Sequence, residues 1–327
     1  MKRFTVIIYF VLLLVAFGFW FTTKSKPDAE VLRVGSTPER PTLTFYTSGL
    51  ATTPQLALWH AAKKGDLLTH CNLQVKIWKN LDDLRGTILA GKGDLWLGHT
   101  EGFVQAAQRG ADLKLLAVTA WRKFYLVTTD PKAKTFKDWI GKELAFAPTG
   151  SPAVPILQET LKNLGSIAFK PGEGRQIAML LMKGEIKGAV VPEPLVSMLE
   201  KKVEGLYVGE NVESLYGKAH HGEPRMPIAG LAIRGSLEKE HPGLTEAIMK
   251  SLEASGRALA GNPEAGIACL PESFQAFVKP GVVKASLKRD RIEVKRASQV
   301  KDELMRYLAV IMKSKAPSDK EFQTYLF

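Results

Sequence analysis

One stretch of this chain repeats another. Leu43, Phe45, Gly49 and Pro54 recur as Leu144, Phe146, Gly150 and Pro155 at a constant offset of 101 residues. Both copies read as a strand, a Gly-containing turn and a helix opening near a proline. Further on, LAGKGD (89–94) recurs as MKGEIK (182–187) at an offset of 93, aligned on Gly91 and Gly184. In each copy a helix ends at that glycine, which takes the left-handed conformation without penalty. A short strand and another helix come next. Solenoid repeats have periods of about 20–50 residues, so this spacing predicts two similar α/β lobes instead.

The periodicity of each copy gives its elements. Strands are expected over Leu43–Thr47, Leu73–Trp78, Leu95–Gly98 and Leu113–Ala120, with helices over Pro54–Lys64 and Leu81–Ala90. Such βαβα alternation predicts a mostly parallel sheet with helices on both faces. After Trp121 the order starts again. From Met226 there is a strand (Pro227–Ile233) and a long helix (Pro242–Ala260), then a last helix with Val300, Leu304, Leu308 and Ile311 on one apolar stripe. The economical placement returns this segment to the first lobe. The fold class is therefore α/β, with a first lobe over 31–121 completed by 226–327 and a second over 122–225. Two crossings, near Trp121–Lys123 and Gly222–Met226, would form a two-stranded hinge able to close on a ligand.

The N-terminus is a different material. Lys2 and Arg3 precede an apolar run of 18 residues, Phe4–Phe21, interrupted only by Thr5, and Lys24 and Lys26 come after it. A basic start and an apolar run mark residues 1–26 as a signal peptide or an uncleaved membrane anchor. No Cys succeeds the run, which argues against a lipoprotein anchor. No second apolar stretch of membrane length appears, so the chain beyond Lys26 is expected outside the cytoplasmic membrane, periplasmic or otherwise extracytoplasmic. That part of the chain keeps eight of the twelve net positive charges. Its field favours encounter with anions or anionic membranes. The basic residues are scattered without interleaved aromatics, so nucleic acid is not an expected partner. Cys71 and Cys269 are either a disulfide or, as isolated cysteines more often are, small core residues.

In open α/β sheets ligands lie beyond the carboxyl ends of the strands. The turns there are Thr47–Thr53, Trp78–Leu81, His99–Gly102, Thr149–Ala153 and Pro192–Leu195. They supply the candidate binding residues Ser48, Gly49, Trp78, His99, Thr100, Gly150, Ser151, Pro152 and Glu193. Ser151 before Pro152 reads as an N-cap hydroxyl with proline at the first helical position. The free N–H groups of such a helix start suit a sulfonate, phosphate, nitrate or carboxylate, although Ser151 can equally cap only its own helix. Glu193 would take an amine from the ligand or steady the next helix; Glu101 reads as a solvated cap. Among the aromatics Tyr46, Trp78 and Trp121, Trp121 is the preferred pocket residue because the crossing would place it on the cleft floor, core packing being the alternative. His99 would donate to a ligand anion or stand exposed in a loop. His220 and His221 are adjacent, a poor spacing for metal ligands, and no P-loop, G-x-S-x-G or G-x-G-x-x-G appears.

Four blocks carry a family resemblance: LDDLRGTILAGKGD (81–94), RGADLKLLAVTA (109–120), WIGKELAFAPTGS (139–151) and VVPEP (190–194). In this order they resemble the nitrate, sulfonate, taurine and thiamine-precursor group of ABC-importer substrate-binding proteins. The resemblance implies the type II periplasmic-binding-protein fold. It also implies a small anionic or zwitterionic ligand, an ABC importer permease as partner, a monomer, no catalysis and no cofactor. Two other readings stay open: a membrane-tethered ligand-sensing ectodomain, and a thiamine-pyrimidine-synthase-like enzyme of the same fold. The latter is associated with a cysteine-rich iron motif, for which Cys71 and Cys269 stand too far apart.

Overall fold

A computed structural model describes residues 32–50, 52–220 and 222–327; the expected leader over 1–26 and His221 lie outside them. The strands are β1 (Leu32–Val34), β2 (Thr42–Thr47), β3 (Asn72–Ile77), β4 (Leu95–His99), β5 (Leu113–Arg122), β6 (Phe124–Thr128), β7 (Glu143–Phe146), β8 (Ala168–Pro171), β9 (Gly188–Pro192), β10 (Tyr207–Asn211), β11 (Ala229–Arg234) and β12 (Arg291–Arg296). The α-helices are α1 (Leu56–Lys63), α2 (Leu67–His70), α3 (Leu81–Leu89), α4 (Thr100–Gln108), α5 (Ala153–Leu161), α6 (Gly174–Met182), α7 (Leu195–Glu200), α8 (Val212–Ala219), α9 (Leu237–Glu240), α10 (Leu244–Gly261), α11 (Pro280–Ser286), α12 (Lys301–Met312) and α13 (Asp319–Thr324).

Two sheets form. One has the order β1-β3-β2-β4-β11-β5-β12, the other β10-β6-β9-β7-β8. Set side by side, β3-β2-β4-β11-β5 matches β8-β7-β9-β6-β10, so the duplication read from Leu43/Leu144 and Gly91/Gly184 is a duplication of topology. In each lobe the strand arriving from a crossing, β11 or β6, is wedged beside the third repeat strand.

That wedge corrects the expectation of mostly parallel sheets. β2 pairs in parallel with β3 and β4, and β7 with β8 and β9. However, β11 is antiparallel to both β4 and β5, and β6 to both β9 and β10. The cause is directional. The repeat strands run toward the crossings, so a strand entering from a crossing runs the opposite way.

Local chemistry supports these elements. In β2 the side chains of Leu43, Phe45 and Thr47 point inward and alternate with less buried neighbours, the period-2 signature of a strand with one core face. β5 is buried along most of its length, which fits a central strand covered on both faces. Asn80 opens α3 by accepting from the Asp83 N–H at 2.9 Å. Gly243, at φ +81°, turns the chain into α10.

A single core cluster runs from the first lobe into the second. It joins Phe103 of α4 and Trp121 of β5 to Phe124 of β6 and Ile156 and Leu157 of α5. Leu304, Tyr307 and Leu308 of α12 belong to the same cluster, so the last long helix lies against both lobes. Each such fully buried Leu or Phe stabilises the fold by about 1.5–3 kcal/mol. Cys71 and Cys269 are free, buried thiols, and burial pushes Cys71 up to about 12. Among the described residues no helix is long and apolar enough to cross a membrane.

Candidate functional site

A cavity of about 340 Å³ opens between the lobes. The first lobe contributes one face of α3, where Leu81, Leu84, Arg85 and Ile88 fall at helical spacing, and the first turn of α4 with His99, Glu101 and Gly102. The second lobe contributes Phe146 and the turn Gly150–Ser151–Pro152 that opens α5. Ile311 of α12 closes one side. The walls are mainly apolar, and Arg85 is the one guanidinium among the described residues lining it.

His99, Gly150, Ser151 and Pro152 therefore come together from the two halves. Gly150 has φ +78° and open space where a Cβ would stand, so the turn needs glycine and presents bare backbone to the cavity. The Ser151 hydroxyl accepts from the Ala153 N–H at 3.3 Å. The helix starts at Ala153, with Pro152 at the cap position, one residue later than the sequence pattern predicts.

Glu101 corrects an expectation. It is buried, not a solvated cap. Its Oε2 accepts from the Tyr307 hydroxyl at 2.9 Å, and its Oε1 stands 3.3 Å from His99 Nδ1. Burial and the adjacent Glu101 charge hold the Tyr307 phenol well above its ordinary range, so it stays a donor. His99 Nδ1 is buried in ion-pair range of that anchored carboxylate but without a hydrogen-bond partner, so His99 is not an exposed loop histidine.

The remaining candidates do not line this cavity. Ser48 accepts from the Leu50 N–H at 3.2 Å, and the Gln55 amide donates to the Ser48 carbonyl at 2.7 Å. Gly49 is covered: the ring of Phe277 comes within 2.5 Å of where its Cβ would be. Trp78 donates its indole N–H to the Leu97 carbonyl at 3.1 Å, and Thr100 donates to the Pro227 carbonyl at 2.6 Å. Trp121 is not a cleft floor. It is wholly buried, donates to the Glu293 carbonyl at 2.7 Å, and carries the Arg225 guanidinium 4.7 Å over its ring. Glu193 is also wholly buried. It accepts from the Ser197 N–H and hydroxyl, each at 3.0 Å, and pairs with Arg289 at 3.1 Å. Both uses of its charge are internal.

The crossing itself holds polar residues that sequence reading missed. Glu213 Oε1 accepts from the N–H groups of Lys123 and Phe124 at 2.8 and 3.0 Å. Burial pushes Glu213 up to about 7. Asp290 is pushed up to about 6 by burial, against the pull of the Lys123 charge. Among the described residues no group of three or more His, Cys, Asp and Glu is arranged to hold a metal.

No family model and no curated sequence matches the chain. Its fold does match solved structures. The ligand-binding component of an ABC-type import system from Staphylococcus aureus superposes with a TM-score of 0.69 at 15% identity, over 88% of this chain and 98% of that one. The alkanesulfonate-binding protein SsuA from Xanthomonas axonopodis, bound to MOPS, gives 0.64 at 16% identity over 89% and 99%. The nitrate-binding protein NrtA from Synechocystis gives 0.53 at 15% identity over 72% and 66%. The class is thereby fixed: this is the two-lobed α/β fold of periplasmic binding proteins. Its structural neighbours include ligand-binding components of ABC transporters and sulfonate- and nitrate-binding proteins, in accord with the resemblance carried by the four sequence blocks.

Proposed function

We propose that the chain is an extracytoplasmic solute-binding protein that delivers a small anionic nutrient to an ABC importer permease by closure of its two lobes. The observation that carries this reading is the interlobe cavity, because neither half completes it alone. Arg85 and the start of α5 lie on opposite sides of it, and a helix start favours anions through its dipole, although Pro152 and Pro155 carry no N–H and the Ala153 N–H is taken by Ser151. The apolar walls suit a short hydrocarbon or ring attached to the anion. A sulfonate fits this pattern best; taurine, nitrate and a thiamine-type pyrimidine are the other members of the class. The basic, apolar leader fits export and contact with the membrane. The SsuA and NrtA likenesses support the same role.

A thermal-shift screen of the four ligand types against the purified chain tests the proposal. A solute at one hundred times its dissociation constant should raise stability by about 2.7 kcal/mol. A flat response to all four would remove the reading, and turnover of any of them would replace it with an enzyme.

A further inference from the structure

We propose that Glu193 and Glu200 form a guanidinium-binding pocket on the second lobe whose resident occupant is the chain's own Arg289, so that the lobes are held closed by an internal cation. This rests on the solute-binding reading only in taking the lobes to open and close.

Arg289 lies just before β12, a strand of the first sheet. Its guanidinium reaches the other lobe, meeting Glu193 at 3.1 Å and Glu200 at 2.5 Å. Its carbonyl accepts from Arg122 Nε and from the Tyr125 hydroxyl, both at 2.7 Å. The residue is thus gripped from both sides of the crossing. The segment leading to it also touches both lobes. Phe277 lies over Gly49, Lys201 donates to the Gly281 carbonyl at 3.3 Å, and Val278, Val282 and Val283 pack with Met198 of α7. Glu193 is wholly buried, so withdrawing Arg289 leaves a desolvated carboxylate with only Ser197 as donor. A planar guanidinium fits a pair of carboxylates in a way an ammonium does not.

The test compares the full chain with R289A by small-angle scattering without solute. The parent should show the radius of gyration of this closed form, and R289A a larger one. Millimolar methylguanidinium should return R289A toward the parent value, whereas equal sodium chloride should not, and R289A/E193Q should not respond. An R289A radius equal to the parent's, or no response to methylguanidinium, overturns the proposal. Should R289A not fold, R289K keeps the charge without the fork, and a radius equal to the parent's then overturns it. A flat solute screen of the unmodified chain would sink the solute-binding reading while leaving this scattering result intact.

Discussion

The carboxylate of Glu213 accepts a hydrogen bond from the backbone N–H of Lys123 at 2.8 Å, at the single residue separating β5 of one sheet from β6 of the other. A carboxylate from α8 therefore ties down one crossing, and it does so in full burial. Burial disfavours the charged form, which raises Glu213 from its ordinary 4.5 to about 7 and Asp290 from 3.8 to about 6.

The sign of the resulting pH dependence comes from linkage. Both groups bind protons more tightly folded than unfolded, so their stabilising contribution is complete below their unfolded values and is lost as pH rises through about 6 to 7. For Glu213 the span corresponds to on the order of 3 kcal/mol. Stability by urea denaturation should therefore fall between pH 5 and pH 8. Glu213→Gln, which keeps the acceptor oxygen but cannot ionise, should flatten most of that slope. A variant with the parent's full slope would refute the assignment. Because the Asp290 charge also helps to raise Glu213, the slope reports both groups together, and the part that survives in Glu213→Gln belongs to Asp290.

Gly102 lies in the first turn of α4, lines the cavity, and has open space around its absent Cβ. Gly102→Ala should fit and stabilise the helix by about 0.5–1 kcal/mol, since glycine loses more backbone freedom on folding. Gly102→Phe would project a ring into the space a solute needs. It should abolish solute-dependent thermal shifts while the far-ultraviolet circular dichroism stays that of the parent.

Arg85 should matter to binding and little to folding. Its ion pair with Asp82 is an exposed i,i+3 contact at 3.1 Å, worth only about 0.2–0.5 kcal/mol. A charge-assisted hydrogen bond to a ligand anion is worth about 1.5–3 kcal/mol, or roughly 10- to 150-fold in Kd. Arg85→Ala should weaken anion binding within that range in calorimetry, with an unfolding midpoint close to the parent's.

Periodicity and glycine placement made the duplicated lobes legible, because strands with one core face alternate and helices end where Gly91 and Gly184 turn left-handed. The features that stayed hidden depended on long-range partners. β12 reads RIEVKR, a charged run typical of solvated chain, yet it forms an edge strand on β5, where charges are tolerated on the open side. The direction of β11 was not readable either, since a strand's polarity in a sheet is set by where the chain enters. Among site residues, turn chemistry marked Gly150 and Ser151 because the signal is local. Glu101 and Glu193 looked like ordinary helix-start acids because their partners, Tyr307 and Arg289, lie 206 and 96 residues further along. Arg85 carries no local mark; only the packing of α3 against the cleft turns it toward the cavity.

Trp121 decides between a sequence expectation and the packing found. Were it a platform for a flat ligand ring, Trp121→Phe would keep an aromatic face and change Kd with little effect on folding. Its surroundings argue otherwise: the indole is wholly buried, its N–H satisfies the Glu293 carbonyl, and Arg225 stacks on it while bound to Glu303 at 2.5 Å. Phenylalanine removes the donor, leaving a partly buried acceptor without it at about 1–3 kcal/mol, and weakens a cation–π contact worth about 0.5–2 kcal/mol. Trp121→Phe should therefore lower unfolding free energy by roughly 2–4 kcal/mol while leaving the affinity of the folded protein for its solute unchanged. The reverse outcome, intact stability with weakened binding, would return Trp121 to the pocket.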